Sequence, residues 1–154
     1  MSNWIRIFGT NATTLRVSAL VEQLDEAGVE VTWEVMGDDQ EWEQVSLQTP
    51  AMQAPVMLER MALDDPEIHE EVAPLLDGLE RLDDVYDVDE IEQVLGGTRQ
   101  LYILGMPAGL QGDSDVEQLS LCVSQLIAKL TKGIYQVDQA GFYDADGQIL
   151  LEER

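Results

Sequence analysis

The chain has 154 residues, 45% of them hydrophobic, and sets 31 Asp and Glu against 8 Lys and Arg, a formal net charge of −23. That size and apolar content predict one globular domain over residues 1–154. The charge repels phosphate, which argues against nucleic acid or an anionic membrane as a partner. A lone Cys122 leaves no intramolecular disulfide, and no apolar run reaches the length of a membrane span. With no signal-peptide pattern at Met1–Arg6, the expectation is a soluble, cytoplasmic protein.

Trp4 to Phe8 predicts a first strand, stopped by Gly9. Val17, Leu20, Val21 and Leu24 then follow helical spacing, with Thr10, Asn11 or Thr13 as candidate caps and Gly28 as the stop. From Val29 to Met36 apolar and polar residues alternate, the pattern of a strand with one wet face. Residues 37–40 read as a turn, 41–48 as the hairpin partner and 56–61 as another strand. Asp65-Pro66 opens a helix whose stripe is Ile68, Val72, Leu75, Leu79, Leu82 and Tyr86, with a kink or break expected at Pro74. Asp87 to Glu90 resembles a capping box before a short helix ending at Gly96-Gly97. Gln100 to Leu104 predicts a strand. Ser114 to Glu117 is a second capping box, opening a helix to Lys132 with Gly133 as its stop. Its expected inner face is Leu119, Cys122, Val123, Leu126, Ile127 and Leu130. Strands at 134–137 and 141–151, the latter turning at Asp144 to Gly147, complete the order.

This order predicts an α+β fold: a mostly antiparallel sheet with helices packed on one face. The favoured arrangement is a ferredoxin-like βαββαβ core with an extension. The strand-helix-hairpin order at 4–47 and 100–151 also suggests a pseudo-repeated unit.

Candidate chemistry is sparse. Residues 64–92 hold thirteen carboxylates and one arginine, Arg81. On a helix Glu70, Asp77, Glu80, Asp83, Asp84 and Asp87 would lie away from the leucine stripe, as a surface for docking a basic protein. The plain alternative is a solvated face that keeps the chain soluble. Asp144, Asp146 and Gly147 partly match a calcium loop, but Phe142 stands where the first ligand belongs, so a β-hairpin explains them better. His69 has Val72 and Ala73 rather than carboxylates three and four residues downstream, with Asp65 four upstream, so an exposed helix histidine explains it better, and no nucleophile motif accompanies it. Cys122 lies mid-helix on an apolar face, the setting of a core thiol. The loop from Gly105 to Gly112 lacks the residues of a phosphate cradle.

The expected function is therefore a non-enzymatic binding module of the immunity or inhibitor type, engaging a basic protein, with no cofactor and no metal. A divalent-metal-dependent hydrolase using clustered carboxylates is one alternative. An accessory or assembly subunit without a catalytic site is the other.

Overall fold

The apolar periodicities become twelve elements in the computed structural model, which describes residues 4–82, 88–107, 109–110, 113–138 and 140–152. They are β1 Trp4–Gly9, α1 Val17–Glu26, β2 Thr32–Met36, β3 Gln44–Gln48, β4 Val56–Met61, α2 Glu67–Glu80, α3 Asp89–Gly96, β5 Gln100–Gly105, α4 Ser114–Thr131, β6 Ile134–Val137, β7 Gly141–Tyr143 and β8 Ile149–Glu152.

All eight strands join one antiparallel sheet in the order β2-β3-β4-β5-β1-β6-β7-β8. This is an α+β fold with more strands than a ferredoxin-like core has. The expectation that the helices share one face is corrected. Ile5, Ile7, Tyr102 and Leu104 of the central strands pack with Leu20 and Leu24 of α1 and Val123 and Ile127 of α4. Phe8 and Leu101 pack on the other side, with Ile68, Val72 and Leu79 of α2 and Ile91 and Leu95 of α3. The cause is visible in β1 and β5. Both are nearly continuous apolar runs rather than alternating ones, so each face of the sheet needs a cover. The strand-helix-hairpin order does recur. However, the β2-β3-β4 meander runs from the edge inward, whereas β6-β7-β8 runs from the centre outward.

Local chemistry explains where several elements begin and end. The start of α1 is held by none of its expected caps but by Asp39, from the β2–β3 turn. The Ser18 N–H and hydroxyl donate to the Asp39 carboxylate at 2.7 and 2.8 Å, and the Val17 N–H donates to its carbonyl. Helix α4 is capped by Asp113 rather than Ser114, with the Asp115 and Val116 N–H groups donating to its side chain. The break expected at Pro74 does not occur: helix α2 runs through it, with Val72 and Leu79 buried in the core on either side of the proline. Asp65 accepts the Glu67 N–H at 2.9 Å, as its position before Pro66 suggests. At the end of α4 the left-handed residue is Lys132, with φ of 54°. Gly133 is needed for another reason: a side-chain carbon there would run into the Phe8 carbonyl.

The face of α4 toward the sheet is more polar than expected. Ser120, Ser124 and Thr131 are fully buried, and each hydroxyl donates to the carbonyl one turn back at 2.7 Å. Their small size lets α4 lie close against β1; Gly9 packs directly on Thr131. Cys122, Leu126 and Leu130 lie at the margin of this contact, half-buried.

Candidate functional site

Helix α2 lies over the sheet centre and turns its polar side outward. Glu70, Asp77 and Glu80 are exposed, and their spacing places them on one stripe opposite Ile68, Val72 and Leu79. None of the three makes an ion pair among the described residues. Arg81 follows directly and is exposed beside them. Asp83, Asp84 and Asp87, the rest of the expected docking face, lie outside the described residues. Glu71 differs from its neighbours: it approaches Arg6 of β1 at 3.7 Å, and Arg6 also donates to Gln136 and Asp138, at 3.1 and 2.8 Å. This half-buried cluster ties α2 to the sheet and leaves Glu71 less exposed than its outward neighbours.

The acidic stripe continues at the N-terminal end of α2 into an open cleft of about 600 Å³. Its rim carries Glu41, Glu43, Glu59, Asp65 and Glu67, with Arg60 as its cation. The Arg60 guanidinium sits 4.8 Å from the centre of the Trp42 ring and donates to the Gln40 carbonyl at 3.2 Å, so it is held by the wall of the cleft. Sequence reasoning missed this concentration because its carboxylates come from three separate segments. Their convergence depends on the register that sets Gln44 opposite Glu59, and strand register is not legible in the sequence.

A buried polar network supports the cleft from below. The Trp42 indole N–H donates to the Leu15 carbonyl at 2.8 Å, and its ring leans on Tyr102. The Tyr102 hydroxyl donates to Gln100 Oε1 at 2.6 Å, and Gln100 Nε2 donates to the Asn11 and Thr13 carbonyls, both at 2.8 Å. Burial pushes the Tyr102 hydroxyl far above the ordinary phenol range, so it serves as a fixed donor. The Asp64 carboxylate is held below its usual range by the paired Arg99 guanidinium, joining the turn before α2 to the start of β5.

The remaining sequence candidates resolve simply. Asp144 accepts the Asp146 and Gln148 N–H groups while Gly147 adopts a φ of 84°, the geometry of a hairpin turn. His69 is exposed on α2. Burial raises the Cys122 thiol above its ordinary range. Of the Gly105–Gly112 loop, Ala108, Gln111 and Gly112 lie outside the described residues. Among the described residues no group of three or more His, Cys, Asp or Glu is arranged to hold a metal ion, and no helix is long and apolar enough to cross a membrane. Comparison of the chain with protein-family models, curated proteins and solved structures gives no match.

Proposed function

We propose that this protein is a non-enzymatic binding module that engages a basic protein partner through the acidic surface of α2. The reading is carried by one observation: Glu70, Asp77 and Glu80 stand exposed on one stripe of a helix anchored by its opposite face. A rigid row of like charges gains little for folding but accelerates encounter with an opposite charge. An immunity or inhibitor protein that neutralises a basic toxin works in this way. The test is capture from source-cell lysate at about 0.15 M salt, comparing the native chain with the Glu70→Gln, Asp77→Asn, Glu80→Gln variant. One basic protein held by the native form and lost by the variant supports the reading. Equal capture of many proteins, all released by slightly more salt, contradicts it.

At the level of fold, we infer that β1-α1-β4-β5-α4-β6 forms a ferredoxin-like βαββαβ core. The adjacency β4-β5-β1-β6 and the shared packing of α1 and α4 support this. The β2-β3 hairpin, the α2-α3 pair and the β7-β8 hairpin are then additions to that core. Such a core hosts many unrelated functions, so it assigns no activity.

A further inference from the structure

Strand β2 ends the sheet, so its backbone groups facing away from β3 have no neighbouring strand among the described residues. Its pairing with β3 is regular from Thr32↔Gln48 to Met36↔Gln44. It contains no proline and no lysine, two devices that commonly blunt an edge. Trp33 and Met36 are 42% and 61% exposed along it.

Both faces of this edge are hollowed. On the α1 side a groove of about 310 Å³ is floored by Val21, Val29, Val31 and Trp33. Its rim carries Glu22, Asp25 and Glu30. On the opposite side a mostly polar hollow of about 290 Å³ is lined by Thr32, Glu34, Ser46 and Gln48, with Trp33 and Pro55 at its margin. Alternate residues of an added strand point to opposite faces of the sheet. One set would enter the apolar groove and the other would meet the polar hollow.

We propose that the β2 edge docks an extended segment of a basic partner, in which aliphatic residues alternate with Lys or Arg. Backbone pairing supplies the attachment, and the two hollows select the alternation. Charge selects the occupant: Glu34 lies in the hollow that meets the basic side chains, Glu22, Asp25 and Glu30 on the groove rim add to the negative potential of the edge, all four are exposed, and no Lys or Arg among the described residues lines either hollow. A second copy of this chain would bring the same carboxylates to the edge, and like charges placed opposite one another on paired strands repel. The inference shares with the α2 reading the sign of the partner's charge, but it uses a different surface and stands without it.

The test uses three synthetic peptides on the full chain: alternating Lys and Val, the same composition with lysines and valines in separate blocks, and the alternating sequence with N-methylated backbone. Amide hydrogen exchange and NMR shifts locate binding. The expected result is that the alternating peptide alone protects amides of Thr32–Met36. Glu30→Lys with Glu34→Lys should weaken it about tenfold, while the Glu70→Gln, Asp77→Asn, Glu80→Gln variant binds as the native chain does. Equal binding by the block or N-methylated peptide overturns the proposal. So does protection of β2 that grows with protein concentration in the absence of peptide, which would make the occupant a second copy, or failure of any peptide to protect β2.

Discussion

The two wings of the sheet have the same number of strands and opposite finishes. In the β6-β7-β8 wing, Ile134, Phe142, Leu150 and Leu151 join the core beneath α2 and α3. In the β2-β3-β4 wing, the same face of the sheet presents Thr32, Glu34, Ser46 and Gln48, and from its strands only Met61 packs into that core. The far edges differ as well. Strand β8 has four residues, and its pairing with β7 shifts register between Phe142 and Tyr143, whereas β2 pairs regularly along its length. Ile149 on β8 is 53% exposed, so exposed apolar surface alone does not separate the wings. What separates them is the cover on the α2 side and the regularity of the edge. One wing is built as core; the other leaves a sheet face and a strand available.

Cavity-forming substitutions should have the largest effect, and a different one in each wing. Trp42→Ala in one wing and Phe142→Ala in the other should each cost about 3–5 kcal/mol in urea unfolding. Only Trp42→Ala should also speed amide exchange in β2 and β3, because Trp42 pins that wing to the Leu15 carbonyl. Equal loosening of both wings would show that they unfold as one unit. Tyr102→Phe leaves Gln100 Oε1 without its donor and should cost about 1–3 kcal/mol, read by the same measurement.

Acid should act on the β2-β3-β4 wing through Asp39. Hydrogen bonds from the Ser18 backbone and hydroxyl hold the Asp39 carboxyl below its usual range. A depressed carboxyl stabilises the fold fully above its ordinary pKa of about 4, and that contribution is lost as pH falls through the lowered value. Asp39→Asn should therefore lower the melting temperature at neutral pH and flatten its decline in acid; an unchanged acid limb would remove Asp39 from the account. The smallest effect is expected from Glu30→Lys with Glu34→Lys. Both residues are exposed, and the urea midpoint should stay where it is, while added salt should raise the melting temperature of the native chain more than that of this less acidic variant.

Much of the fold was legible because apolar period and punctuation agree. Val17, Leu20 and Leu24 specify α1, Asp65-Pro66 opens α2, and Asp144 to Gly147 turns the last hairpin. Partnerships between distant segments were not legible. Nothing near Val17 signals that Asp39 caps it, and Ser120, Ser124 and Thr131 are buried because their hydroxyls are satisfied within their own helix. Placement of helices on both faces was written in the unbroken apolar run Leu101 to Leu104, whose second apolar face the expected one-sided packing of helices left uncovered. Of the acidic face, helical spacing located Glu70, Asp77 and Glu80. The cleft carboxylates and the β2 edge depend on strand order, which the sequence does not carry.

The most direct measurement is an amide-exchange footprint of the native chain with and without the basic protein it captures. If the partner held by α2 also supplies the strand at the β2 edge, the footprint shows new protection along Thr32–Met36 and none along Ile149–Glu152, and the complex is lost when Glu70, Asp77 and Glu80 are neutralised. Protection at the β8 edge, or a complex indifferent to those three carboxylates, would contradict the account.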